Sequence, residues 1–214
     1  MASKSARTQD RRQRGTGFSR ETNLRRGTNS REERRSVLII TNGSRTELDY
    51  FKALRREPWV TTHKVTPKFE AGAPSAVVIR AAEIRAESAY DEAWIVCDVD
   101  EFDVQAAIAE AAEHDDVELA LSQPCFEVWL ILHFKPGCPG FNNAAQAGAH
   151  LKRILLHWDK ATIRFSDFSA GVLDAADRAK GLGDPPEANP STAVWRVIES
   201  LRAARDLPDA DAPR

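Results

Sequence analysis

Cysteine is scarce in this chain, with three in 214 residues, at positions 97, 125 and 138. So few, and so irregularly spaced, exclude a disulfide scaffold. Long apolar runs are missing too. None approaches the roughly 20 residues that a bilayer-spanning helix needs, which excludes a membrane protein and a membrane partner. The first thirty residues lack the apolar segment of a secretory signal. These absences predict a cytoplasmic protein. Aromatic residues make up only 7%, but 42% apolar and 29% charged residues are the proportions of an ordinary globular chain. At this length one domain with an appendage is expected, and no internal repeat divides it.

Net charge is small, −2, but unevenly spread: eleven Lys/Arg face four Asp/Glu ahead of Ser36, and 19 face 28 from Ser36 onward. Up to Arg35 the only large apolar groups after Met1 are Phe18 and Leu24, too little to offset the entropy of ordering. The expected division is a disordered basic tail over 1–35, a folded domain over 36–205 and a loose end over 206–214. Arg11, Arg12, Arg14, Arg25 and Arg26, with Arg34 and Arg35, could each neutralise a phosphate of DNA or RNA. A solubilising tail without a partner is the equal alternative. The acidic body suggests carboxylates kept for another purpose, such as holding a cation.

From Ser36 short apolar runs alternate with helical stretches. Val37-Leu38-Ile39-Ile40 is a strand that ends in the turn Thr41-Asn42-Gly43. Ser44 and Glu47 have the spacing of a capping box, and Leu48, Phe51 and Leu54 carry the helix to Arg56 ahead of Pro58. A weaker strand over 65–69, a helix over 74–88, a strand over 93–97 ending at Asp98, a helix over 104–114 and a strand over 117–121 follow. This alternation predicts an α/β fold with a mostly parallel, Rossmann-like sheet covered on both faces. Helices over 126–134, 143–157 and 193–205 would form a C-terminal helical extension, the last capped by Ser191 or Thr192.

Ligands of such a sheet sit beyond the carboxyl ends of its strands. There the chain places Thr41, Asn42, Gly43, Ser44 and Glu47; then Asp98, Asp100, Glu101 and Asp103; then Ser122, Gln123 and Glu127. Asp98 and Asp100, two apart on an extended segment, point the same way and could approach one hard cation such as Mg²⁺. The alternative is an exposed turn, and Asp103 before Val104 has the position of a helix cap. The loop after the first strand has one glycine and no Lys-Ser/Thr ending, so it is not a Walker A motif. Glu47 could serve only the capping box, Glu127 only the first turn of its helix. Arg45 could meet a phosphate or only solvent. Cys125 fits a buried structural thiol, and Cys125, Cys138, His133, His150 and His157 lack the paired spacing of a zinc site.

Four separated blocks carry a resemblance: 37–51 (Val37 to Phe51, with Asn42-Gly43 and Glu47), Asp98-Val99-Asp100, 122–134 (Ser122 to Phe134, with Glu127) and Asn189-Pro190-Ser191-Thr192. Together they look like the RloB-like family, from about Arg34 to about Leu201. The resemblance implies a TOPRIM-like domain encoded in bacterial loci for anti-phage defence and abortive infection, often beside an ATPase partner. In TOPRIM-like enzymes an Asp-x-Asp holds Mg²⁺, or Mn²⁺ in its place, and a glutamate after the first strand is the general acid or base. Asp98 and Asp100 match the metal pair. Asn42-Gly43 stands where relatives commonly read Glu-Gly, and Asn cannot accept and return a proton. Glu47 or Glu127 would then substitute, or catalysis would be weak. The implied function is a Mg²⁺-dependent nuclease or phosphodiester-processing component; the alternative is a non-catalytic nucleic-acid sensor or adaptor that regulates the ATPase.

Overall fold

The first strand shows how the sheet is buried. In β1 (Ser36–Thr41) successive side chains face opposite sides, so Val37 and Ile39 enter one hydrophobic cluster and Leu38 and Ile40 another, all four fully buried. The computed structural model describes residues 34–99 and 103–203. Within them β1 is flanked by β2 (Lys64–Phe69) and β3 (Glu92–Asp98), and β3 by β4 (Val117–Gln123), all parallel. Pro67 cannot donate to a ladder and sits in β2, the edge strand. A two-residue strand, β5 (Ser191–Thr192), adds antiparallel to Ser122 and Gln123 at the far edge, giving the order β2-β1-β3-β4-β5.

Helices cover both faces. On one, α2 (Pro74–Ser88) packs Val77, Val78, Ala81 and Ile84 on Leu38, Ile40, Ala93 and Ile95, joined by Ala107 of α3 (Gln105–Ala111). The other face carries α1 (Thr46–Leu54), α4 (Glu127–Leu132), α5 (Ala144–Ile154), α6 (Val172–Lys180) and α7 (Val194–Ala203). Every residue of α4 is buried, as expected for a helix apolar nearly all round, and each Leu or Ile so buried contributes about 1.5–3 kcal/mol. The α/β architecture, the parallel sheet and the helical C-terminal part match expectation.

Several local expectations are corrected. Arg45 rather than Ser44 holds the N-cap of α1, with no side-chain cap bond, and the Glu47 carboxylate lies against Gly43. Ser191 and Thr192 form β5 rather than a simple cap, although Thr192 Oγ1 does accept the Val194 N–H at 3.4 Å. The helix expected over 143–157 stops at Ile154 because Leu155 leaves helical geometry, and Asn143 caps its start by accepting the Gln146 N–H at 3.0 Å. Asp103 accepts the Gln105 N–H at 3.0 Å, as its position ahead of α3 suggested. Arg35, grouped above with the tail, pairs with the buried Glu92 at 2.9 Å. No helix among the described residues is long and apolar enough to cross a membrane.

Candidate functional site

Three strand ends meet at the carboxyl edge of the sheet. After β1 the Asn42 N–H donates to Val96 O at 3.0 Å, and Thr41 Oγ1 donates to Gly43 O at 2.8 Å, which tightens the turn into α1. That turn brings the buried Glu47 back beside Gly43. At the end of β3 the half-buried Asp98 accepts the Phe126 N–H on Oδ1 at 2.8 Å, tying it to the residue before α4. Glu127, the first residue of α4, is 2% exposed. Its Oε1 lies 3.4 Å from Lys160 Nζ, while its Oε2 is buried with no hydrogen-bond partner among the described residues. Lys160 is held across the mouth by its own backbone, whose carbonyl accepts from Thr46 Oγ1 at 2.8 Å.

These elements enclose a cleft of about 720 Å³ whose walls include Asn42, Gly43, Arg45, Glu47, Asp98 and Lys160. Burial drives the Asp98 carboxyl well above the usual carboxylate range, and the charges of Glu47 and Glu127 push it further. The Lys160 ammonium and the Phe126 N–H oppose this only in part. For Lys160 burial acts to lower the proton affinity, but Glu127, Asp98 and Glu47 outweigh it and the ammonium is held more tightly than usual. One cation therefore answers to three carboxylates.

The donor set is suited to a hard cation. It is made of carboxylate oxygens, one of them buried and orphaned, around a carboxyl whose charge is poorly compensated. Among the described residues no group of three or more His, Cys, Asp or Glu is arranged to hold a metal. A Mg²⁺ that keeps several waters and takes one or two carboxylates does not require such a cage. Asp100, the other half of the expected pair, lies outside the described residues, as do Arg11, Arg12, Arg14, Arg25 and Arg26. Of the expected site residues the structure sets Glu47, Asp98 and the exposed Arg45 on the cleft wall, with Glu127 within electrostatic reach of Asp98.

Lys160 was not singled out from the sequence. It lies in a turn 114 positions from Thr46, its anchor, and nothing local marks it. The three cysteines are free; burial raises the Cys125 thiol far above its ordinary value, so it is an inert core group.

The family whose model matches the chain is described as RloB-like protein, over residues 37–201. No curated protein and no solved structure matches.

Proposed function

The chain belongs to the RloB-like family, and from that premise we propose that the cleft is a divalent-metal-dependent phosphodiester-processing site acting on DNA or RNA. The observation that carries this reading is that Glu47 and Asp98 line one cleft with Lys160, the cation that acts on both and on Glu127 behind them. A bound Mg²⁺ or Mn²⁺ would supply polarisation of a phosphoryl oxygen and a more acidic water.

The roles of the side chains follow from their burial. Asp98, oriented by the Phe126 N–H through Oδ1, keeps acceptor capacity on Oδ2 and is the metal ligand, with Asp100 as its expected companion. Glu47 lines the cleft and can exchange a proton with a group bound there, so it is the acid-base residue. Glu127 sits behind, and its orphaned oxygen fits a ligand or charge-balancing role better than proton exchange with substrate. The basic segment ahead of Ser36 would add sequence-independent attraction to the polyanion. In this reading the protein works in the bacterial cytoplasm as part of an anti-phage system beside an ATPase.

Asn42 favours a second reading. It lines the cleft where the family resemblance expects a glutamate, and an amide there suits a nucleic-acid sensor or adaptor that regulates the ATPase without cutting. Purified chain with Mg²⁺ or Mn²⁺, incubated with DNA and with RNA, separates the two. Cleavage that Asp98→Asn reduces by about 100-fold supports the enzyme, since general acid-base and metal contributions are of that size or larger. Salt-sensitive binding without cleavage supports the adaptor. Cleavage unchanged in Asp98→Asn removes the assignment.

A further inference from the structure

At the amino end of the sheet, away from the acidic cleft, α1 finishes and β2 begins beside the start of β1. A hollow of about 450 Å³ opens there, with Arg34, Arg55, Arg56, His63 and Lys64 among its walls. The chain from Ser36 onward is acidic overall, so four permanent cations around one small hollow are a local reversal. None of these four forms an ion pair with a described residue, whereas their neighbour Arg35 is paired with Glu92.

Cations at the end of α1 are partly explained by the helix dipole, which favours them at a C-terminus. That accounts for Arg55 and Arg56 but not for Arg34 and Lys64, which come from other elements, nor for His63. His63 is 5% exposed, its Nδ1 lies 3.0 Å from Thr62 Oγ1, and its Nε2 is buried with no partner among the described residues. Burial and the nearby Arg35 charge lower its proton affinity, which keeps the ring neutral. In the tautomer in which Thr62 donates to Nδ1, the ring proton sits on Nε2, a buried N–H with no acceptor among the described residues. The hollow thus presents donors and positive charge, and what would complete it is a compact group made of acceptors.

We propose that this hollow is a phosphate site, in which His63 Nε2–H and the Arg55 and Arg56 guanidiniums take the oxygens of a phosphate ester, assisted by Arg34 and Lys64. Guanidinium forks match phosphate oxygens pairwise, and an N–H donor at the buried side fixes the anion in depth. The site is independent of the acidic cleft, so its failure would leave the proposed chemistry untouched. The phosphate can come from a mobile nucleotide or from a nucleic-acid backbone.

The test follows the His63 ring resonances of the full chain by NMR at physiological salt during titration with inorganic phosphate, with adenosine monophosphate and with a single-stranded oligonucleotide. Saturable movement of the His63 signals is expected, with affinity about tenfold weaker in the Arg55→Gln/Arg56→Gln variant, which loses charge-assisted hydrogen bonds at exposed positions that do not support the core. Phosphate and nucleotide moving the signals without displacement by the oligonucleotide identifies a mobile ligand. Displacement by the oligonucleotide, or movement with it alone, identifies the backbone. Signals that stay put with all three probes, or equal affinity in the double variant, overturn the proposal; His63→Gln, read by calorimetry with the same probes, must also weaken binding.

Discussion

Gly43 lies so close to the Glu47 carboxylate that a Cβ on residue 43 would overlap it. The glycine is therefore a spatial requirement of the cleft. Its backbone is not in the left-handed region, and the obstructing atoms are the end of a flexible side chain. Gly43→Ala should displace the carboxylate while leaving the fold nearly as stable, with Tm changed by no more than about 2–4 °C, the equivalent of about 1 kcal/mol in a chain of this length. If Glu47 exchanges protons with substrate, metal-dependent cleavage should fall in Gly43→Ala about as far as in Glu47→Gln. Full activity in Gly43→Ala, with Glu47 displaced in its crystal structure, would take Glu47 out of the chemistry.

Asp98 gives the cleft a pH signature. Its proton affinity is raised in the folded state, so the folded protein binds more protons than the unfolded chain between the ordinary carboxylate range and the folded value. Stability contributed by this residue therefore falls as pH rises through that window. Asp98→Asn keeps an oxygen to accept the Phe126 N–H and removes the charge. The variant should match wild type near pH 4 and exceed it in Tm by roughly 2–4 °C at pH 8. Mg²⁺ should raise the Tm of wild type at pH 8, and far less that of the variant. Thermal scans at the two pH values, with and without Mg²⁺, check both effects; a variant less stable than wild type at pH 8 contradicts the electrostatics.

Much of the fold was legible because its strands are buried on both faces and so read as continuous apolar runs, as in Val37 to Ile40 and Ala93 to Cys97. What escaped notice has physical causes. The α6 helix packs Val172, Ala175, Ala176 and Ala179, a stripe of helical period but so small in side-chain volume that it barely registers as hydrophobic, and Gly171 gives its start no capping side chain. The β5 strand is two polar residues long and exists only because Ser122 and Gln123 offer it an edge; Ser122 and Thr192 then share a buried hydroxyl contact of 2.8 Å. In the cleft, Asp98 was foreseeable from its place at a strand end. Glu127 was too, from its place after the fourth strand; the company of Lys160 was not, since it depends on Thr46 holding the Lys160 carbonyl.

The aromatic core carries a second pH dependence, of opposite sign. His133 Nδ1 donates to Trp129 O at 2.9 Å, so its Nε2 accepts from the buried Tyr50 hydroxyl at 3.0 Å. Burial lowers the His133 pKa from 6.5 to about 4. The unfolded chain binds the extra proton first, so stability due to His133 is complete above pH 6.5 and is lost as pH falls to 4, by about 3 kcal/mol. Tyr50→Phe strands the Nε2 acceptor and should cost about 1–3 kcal/mol at pH 7. Urea unfolding at pH 7 and pH 4.5 measures both, and His133→Gln should flatten the acid slope even where its stability at pH 7 is lower. An acid slope unchanged in that variant would assign the dependence to other groups.

Lys160 occupies the electrostatic position that a metal would contest. Its ammonium faces Glu127 at 3.4 Å and feels Asp98 and Glu47 as well, yet its side chain is 56% exposed, so it can swing aside at little cost. Replacing it by Met keeps the apolar stem and deletes the cation that Glu127 Oε1 faces. Without metal, Glu127, Asp98 and Glu47 would then lose the cation they share, and the Tm of Lys160→Met should fall by roughly 2–6 °C at pH 8. Mn²⁺ should restore more than it adds to wild type, because the ion no longer competes with a resident positive charge. Affinity measured by Mn²⁺ paramagnetic relaxation should rise in the variant for the same reason. Were Lys160 instead a partner that only braces Glu127, its loss would weaken Mn²⁺ binding along with stability, and the direction of that single change decides between the two roles.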